Sequence, residues 1–128
     1  MKKLMMILLA ALLLTACTLI KENDREVTYM NITAEEAKRI MDTEEGYIIL
    51  DVREQNEYDA GHIPGAILIP YTQIEEKANE MLPDKEQLIL VYCRSGRRSK
   101  IAAEALVELG YTNIKEFGGI LDWPYEVE

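Results

Sequence analysis

The stretch LILVYCRSGRRSKIAAEALVELG, residues 88–110, decides the fold of this chain. Its first part, Leu88–Tyr92, is a continuous apolar run of strand length, which is typical of a strand covered on both faces. After a short polar loop, an amphipathic helix is predicted to run from Ser99 to Leu109, with Gly110 as its C-terminal stop. The stripe of this helix predicted to face the core consists of Ile101, Ala102, Ala105, Leu106 and Leu109. The stretch therefore predicts a buried strand that turns through a tight loop into a helix packed on the sheet.

The same alternation of apolar strands and amphipathic helices recurs along the rest of the chain. Four further strands are predicted at residues 27–30, 47–52, 66–69 and 113–117. Helices are predicted at about 34–42, 54–59, 73–81 and in a short segment after Gly118-Gly119. Thr33, with Glu36 three residues later, is predicted to open the first helix through a capping box. The pattern predicts one α/β domain of three layers, a central five-stranded parallel sheet flanked by helices on both faces.

Cys93 stands where an open parallel sheet carries its functional site, at the carboxyl end of a strand. Backbone N–H groups of the tight loop and the start of the next helix favour an anion there, and Gly96 lets the loop turn. Ser99 is predicted as the N-cap of that helix, with a hydroxyl that can also reach the sulfur. The loop carries three cations, Arg94, Arg97 and Arg98. These features favour the thiolate and predict a reactive cysteine; the alternative is a buried cysteine beside a solvated basic turn.

Three segments, in this order along the chain, resemble the signatures of the single-domain rhodanese family. They are DVREQNEYDAGHIPGA at 51–66, CRSGRRS at 93–99 and GGILDW at 118–123. The resemblance implies a sulfurtransferase in which Cys93 cycles between thiolate and persulfide without a cofactor. Its donor would be a small sulfur-bearing anion such as thiosulfate, and its acceptor cyanide or a thiol. The loop residues that would bind the donor are Arg94, Ser95, Gly96, Arg97, Arg98 and Ser99.

Two other functions are weighed against sulfur transfer. Cysteine phosphatases and arsenate reductases use a similar cradle, with five residues between the cysteine and an arginine that binds the oxyanion. Ser99 occupies that position here and Arg98 comes one residue earlier, so the loop favours a single sulfur atom over a tetrahedral oxyanion. The second alternative is a binding or sensing module of low activity. Inactive relatives usually lack the cysteine, whereas Cys93 is present.

A few residues outside the loop are candidates for supporting roles. His62 is the only histidine, so no histidine cluster for a metal is predicted, and we expect it to hydrogen-bond a loop. Arg53 and Glu57 have i,i+4 spacing and are predicted to form a structural ion pair, while Asp51 and Arg53 are lesser candidates for lining the mouth of the site. Trp123 is expected in the core.

The N-terminus is typical of a bacterial lipoprotein signal. Lys2 and Lys3 precede an apolar run from residue 4 to 16, which is shorter than the roughly 20 residues a membrane-spanning helix needs. The run ends in LTAC, which resembles a lipobox with cleavage before Cys17 and capping of its thiol with diacylglycerol, whose acyl chains include palmitate. We therefore expect a signal peptide at 1–16, a lipidated cysteine and tether at 17–26, and the domain at 27–128. An ordinary secretory signal is the alternative.

The charge and the cysteine content of the chain limit the kinds of molecule that it is expected to bind. Residues 1–16 contain Lys2 and Lys3 but no acid, so their removal changes the formal charge from −9 to −11. Such a surface disfavours nucleic acid and anionic lipid headgroups, and acyl chains on Cys17 would supply the membrane contact. Lipidation of Cys17 would leave Cys93 as the only thiol, without a disulfide partner. We expect a monomer in the bacterial cell envelope, on the extracytoplasmic side of a membrane.

Overall fold

The computed structural model describes residues 28–128. The predicted signal peptide, the predicted lipidation site Cys17 and the predicted tether up to residue 26 lie outside the described residues. No helix within the described part is long and apolar enough to cross a membrane.

Five strands form one parallel sheet, as the alternation of strands and helices predicts. The strands are β1 (Met30–Asn31), β2 (Ile48–Asp51), β3 (Ile67–Leu68), β4 (Ile89–Cys93) and β5 (Ile114–Gly119), in the spatial order β1-β5-β4-β2-β3. Every pairing in the sheet is parallel. The helices are α1 (Ala34–Thr43), α2 (Gln55–Ala60), α3 (Ile74–Met81) and α4 (Arg97–Glu108). The central position of β4 brings its carboxyl end between β2 and β5.

The sheet separates two apolar cores, which gives the predicted three layers. All five residues of β4 are buried, and their side chains alternate between the two faces. Val91 and Cys93 pack on the side covered by α3 and α4, where Leu106 is fully buried. Tyr92 packs on the opposite side, where Trp123 lies in the second core as expected. Cys93 therefore points toward the helix that follows it.

Two predictions about helix α4 are wrong. The helix begins at Arg97, and Gly96, with a φ of +108°, occupies the N-cap position that the sequence assigned to Ser99. The predicted core stripe is wrong at Ile101, which is 40% exposed, whereas Ala102 and Leu106 are fully buried as predicted and Ala105 and Leu109 are partly buried against the core. The buried stripe instead consists of Ser99, Ala102, Ala103 and Leu106, which have the i, i+3, i+4, i+7 spacing of one helical face. This rotation places the Ser99 hydroxyl beneath the loop.

The remaining boundaries differ by small amounts. The capping box between Thr33 and Glu36 is confirmed, with both reciprocal hydrogen bonds at 3.1 Å. The predicted short C-terminal helix is a single 3₁₀ turn, Ile120–Asp122, and another 3₁₀ turn, Tyr71–Gln73, precedes α3. The strands at both edges of the sheet are only two residues long.

Candidate active site

Cys93 ends β4 at the floor of the loop that leads into α4. Cys93 is 1% exposed, and it is paired with Gly119 in the neighbouring strand β5. The backbone N–H of Gly96 donates a hydrogen bond to the Cys93 sulfur, with an N···S distance of 3.0 Å. The start of α4 follows directly, so the loop directs positive backbone dipoles toward the sulfur.

Two glycines allow the loop to lie against the end of β5. A Cβ atom on Gly119 would stand 2.0 Å from the carbonyl oxygen of Arg94 and 2.5 Å from the backbone nitrogen of Ser95. Only glycine permits this approach, which the N–H of Leu121 secures by donating to the same Arg94 oxygen at 3.2 Å. Gly96 adopts the left-handed backbone that closes the loop around the sulfur. Gly119 and Gly96 thus act on the site through the backbone.

The Ser99 hydroxyl connects the sulfur to a buried acid. Its Oγ lies 3.3 Å from Cys93 Sγ and 2.7 Å from Glu116 Oε1. Glu116 is 3% exposed and also accepts a hydrogen bond from the N–H of Gly118 at 2.8 Å. The sequence analysis did not identify Glu116. The available signal was an acid inside an apolar strand, two residues before the glycine pair.

The three loop arginines are placed differently. The Arg98 guanidinium donates two hydrogen bonds to the Glu57 carboxylate, at 2.6 and 2.9 Å, while Arg94, Ser95 and Arg97 are exposed at the rim. The hydrogen bonds from Arg98 lower the pKa of Glu57 to about 2. Arg94 and Arg97 are therefore better placed than Arg98 to meet an incoming anion.

The predicted ion pair between Arg53 and Glu57 is wrong. Helix α2 begins at Gln55, so Arg53 lies before the helix and does not share a face with Glu57. The Arg53 guanidinium instead binds the Asp51 carboxylate, with a shortest N···O distance of 2.7 Å. Asp51 is fully buried and also accepts a hydrogen bond from the Tyr92 hydroxyl at 2.6 Å. Burial is the main factor that raises the pKa of Tyr92. The hydrogen bond with Asp51 and the negative charge of that carboxylate raise it further.

Arg53 binds the segment between α2 and β3, Asp51 holds Arg53, and His62 lies within that segment and contacts α2. Arg53 donates to the carbonyl of Gly61 at 2.8 Å. The His62 ring stacks on Tyr58, with ring centroids 3.8 Å apart, and its Nδ1 lies 2.9 Å from the Tyr58 carbonyl oxygen. These contacts place all three residues in the support of that segment, away from the sulfur.

The chemistry available at this site is that of a sulfur that accepts a hydrogen bond from the Gly96 amide and donates one to Ser99 Oγ. The residues that the structure describes contain no group of three or more His, Cys, Asp and Glu side chains able to hold a metal ion. The polar atoms described within hydrogen-bond reach of Cys93 Sγ are the Gly96 amide and the Ser99 hydroxyl. The Gly96 amide stabilises an anion on sulfur.

The sequence of this chain is similar to those of proteins named for sulfur transfer or sulfur carriage. Residues 33–125 match the rhodanese-like domain family. The chain is 40% identical over 98 residues to a putative sulfur carrier protein of Bacillus subtilis, YrkF, a match that covers 76% of this chain and 52% of that protein. It is 41% identical over 73 residues to the thiosulfate sulfurtransferase PspE of Escherichia coli, covering 57% of this chain and 70% of that protein. The chain thus spans about half of the Bacillus protein.

Solved structures share the fold over most of the described residues. A rhodanese-related protein of Thermoplasma volcanium superposes with a TM-score of 0.68 and 33% identity, covering 78% of this chain and 98% of that one. A rhodanese with anions from E. coli gives a TM-score of 0.60 and 36% identity, covering 64% of this chain and 96% of that one. Both similarities extend to sequence as well as fold.

Proposed function

The chain belongs to the rhodanese-like family, and we propose that it is a sulfurtransferase in which Cys93 carries the sulfur as a persulfide. One observation carries the proposal: the Cys93 sulfur lies at the carboxyl end of β4 and accepts a hydrogen bond from the Gly96 amide at 3.0 Å. The loop that holds it has two exposed arginines, Arg94 and Arg97, on a chain of net charge −9. Relatives named as sulfurtransferases support the same activity.

The proposed reaction consists of two displacements at sulfur. In the first, the Cys93 thiolate attacks the outer sulfur of thiosulfate, an S–S bond forms, and the S–S bond of the donor breaks to release sulfite. In the second, cyanide or a thiolate attacks the outer sulfur of the Cys93 persulfide, and Cys93 leaves as the thiolate. Neither step changes the number of protons or needs a cofactor. Negative charge stays near the loop throughout, where backbone amides can stabilise it without reorganising.

The loop residues are proposed to divide binding and stabilisation between them. The Gly96 amide stabilises charge on the inner sulfur, and the exposed Arg94 and Arg97 attract the dianionic donor to the rim. Arg98 is bound to Glu57 and is proposed to fix the loop relative to α2. Ser95 and Ser99 are proposed to line the rest of the donor site, and Ser99 Oγ lies 3.3 Å from the sulfur.

A thiosulfate:cyanide assay tests the proposal, because thiocyanate is a direct product of the second step. We expect turnover by the full chain and its loss in Cys93→Ser. The matched control is Cys17→Ser, which replaces the only other cysteine and should leave turnover unchanged. If no thiocyanate forms with thiosulfate or several other sulfane donors, the chain is a binding module and the proposal is wrong.

We also propose that the chain is a monomeric lipoprotein of the bacterial cell envelope, anchored through Cys17 on the extracytoplasmic side of a membrane. The support is the LTAC sequence at residues 14–17 after an apolar run. Incorporation of labelled palmitate during expression in a bacterial host tests the anchor. Label in the chain and none in Cys17→Ser is expected; equal label in both, or none in either, would contradict the anchor. Light scattering of the detergent-free mature chain tests the monomer.

A further inference from the structure

Glu116 is a buried acid that the proposed reaction does not use. Its side chain enters the space under the loop from β5, and within residues 28–128 it forms no salt bridge. Its two hydrogen-bond donors are the Ser99 hydroxyl and the Gly118 amide, at 2.7 and 2.8 Å. Because a buried carboxylate without a cation is costly, its position calls for a role in the site.

The Ser99 hydroxyl has one hydrogen and several acceptors within reach. Glu116 Oε1 is the nearest at 2.7 Å, while the carbonyl oxygens of Gly96 and Gly118 are 3.0 and 3.3 Å away. The carboxylate is also the strongest acceptor among them, because hydrogen bonds to charged groups are shorter and stronger. With that hydrogen committed to Glu116, Ser99 presents a lone pair to Cys93, and the thiol donates to it at 3.3 Å.

We propose that Glu116 is a positioning residue that, through Ser99, favours the protonated form of Cys93 and so opposes the thiolate. Loss of the thiol proton to solvent leaves two anions, the Cys93 thiolate and the Glu116 carboxylate, on either side of one hydroxyl hydrogen. Whichever anion receives that hydrogen, the other loses its hydrogen bond to Ser99. The Gly96 amide favours the thiolate, whereas Glu116, on the β5 side of the loop, disfavours it.

The expected size of the effect follows from the distances. Sγ and Oε1 are at most about 6 Å apart, because each lies within hydrogen-bond distance of the same Oγ atom. At an effective dielectric constant of about 20, two unit charges at that separation shift a titration midpoint by about two pH units, and screening by solvent reduces this. Other charged and titratable groups lie on the neighbouring elements: Tyr29 before β1 interacts with Glu116 and Glu104, Arg98 on α4 interacts with Cys93, and the exposed Arg94 and Arg97 lie in the loop and at the start of α4.

The consequence concerns the resting state of the site. A thiol is a poorer nucleophile and a poorer target for oxidation than a thiolate, so Glu116 would restrain Cys93 until a higher pH shifts the balance. This consequence rests on the proposed sulfur transfer, whereas the coupling between the two groups is measurable without turnover.

The experiment is the rate of Cys93 alkylation by iodoacetamide as a function of pH, in the full chain carrying Cys17→Ser. Iodoacetamide is uncharged, so Glu116 does not affect its approach. Glu116→Gln keeps an oxygen that can accept from Ser99 and Gly118 but removes the charge. We expect this variant to lower the alkylation midpoint by about one pH unit or more, with about tenfold faster alkylation on the acid side. An unchanged or higher midpoint would overturn the proposal.

Two further variants separate charge from shape and test the role of Ser99. Glu116→Asp keeps the charge, so its midpoint should stay closer to that of the parent chain than to that of Glu116→Gln; a shift equal to that of Glu116→Gln would refute the charge effect. In a Ser99→Ala background the direct interaction between the two charges remains but the shared hydroxyl hydrogen is lost, so the effect of Glu116→Gln should become smaller. If the full shift persists there, Ser99 does not transmit it.

A measurement on the unsubstituted glutamate covers the case in which the variants fail to fold. Coupling is reciprocal, so the ¹³C signal of the Glu116 carboxyl should show a step at the pH where Cys93 titrates. Prior alkylation of Cys93 should abolish that step. A signal without the step would overturn the proposal. Because alkylation and NMR need no sulfur donor, a chain that shows the coupling but forms no thiocyanate would refute the proposed function alone.

Discussion

Replacement of Gly119 by alanine should disable the site through one methyl group. The added Cβ would stand 2.0 Å from the Arg94 carbonyl oxygen, 2.3 Å from the Arg94 carbonyl carbon and 2.5 Å from the Ser95 nitrogen. All three atoms are backbone, so no side-chain rotation can relieve the contact. The loop must move away from β5 by about 1 Å before the separations approach van der Waals contact.

That movement affects the sulfur directly. The hydrogen bond from Leu121 to Arg94, at 3.2 Å, would break, and the Gly96 amide, three residues from Cys93, would leave its position 3.0 Å from Sγ. A displacement of about 1 Å at a reacting centre can reduce the rate about 100-fold. The loss of packing and backbone hydrogen bonding should also reduce the free energy of unfolding by about 2 kcal/mol.

The assay is kcat/KM for thiocyanate formation from thiosulfate, together with denaturant unfolding. Gly46→Ala is the matched control, since Gly46 has a φ of +77° but nothing within 4 Å of an added Cβ. It should cost about 1–2 kcal/mol from backbone strain and leave kcat/KM within about twofold. If Gly119→Ala retains the parent kcat/KM and stability, the close approach of loop and strand does not position the sulfur, and the reasoning fails.

Three more substitutions test the contacts around the loop. Glu57→Gln should cost about 1 kcal/mol of unfolding free energy at pH 7, because it removes the partner of Arg98. Since Arg98 lowers the pKa of Glu57 from 4.5 to about 2, the difference between parent and variant, measured by urea unfolding, should shrink as the pH falls from 4.5 to 2; a constant difference would argue against the ion pair. Tyr92→Phe should cost about 1–3 kcal/mol, measured in the same way, because it leaves the buried amide of Ile63 without its acceptor; a cost near zero would contradict that hydrogen bond. Arg97→Ala should raise KM for thiosulfate several-fold with little change in kcat, and an unchanged KM would exclude Arg97 from donor binding.

The sheet and its helices were predictable because their signals are local. The five residues of β4 lie in one continuous apolar run, and such a run is typical of a strand that is covered on both faces. The capping box at Thr33 and Glu36 likewise depends on residues three apart. The loop at Cys93 was recognisable because a cysteine between a buried strand and a helix, among arginines, is unusual.

Contacts between distant segments were not predictable from spacing. Arg98 pairs with Glu57, which lies 41 residues away, whereas local spacing suggested Arg53 as the partner of Glu57. Glu116 reaches Ser99 because β5 lies beside β4 and because α4 starts two residues earlier than predicted. That earlier start depends on Gly96 taking a left-handed conformation, which the sequence permits but does not require. The polar connections within the site therefore emerge only from the tertiary arrangement.

The most direct test of the account is the mass of the Cys93 peptide after incubation with thiosulfate. The account predicts an addition of about 32 Da, one sulfur atom, on Cys93 and not on Cys17, with sulfite released in equal amount. Cyanide should then remove the added mass and yield one thiocyanate per chain. A folded chain whose Cys93 peptide gains no mass from thiosulfate or from other sulfane donors would contradict the central claim that this cysteine carries sulfur.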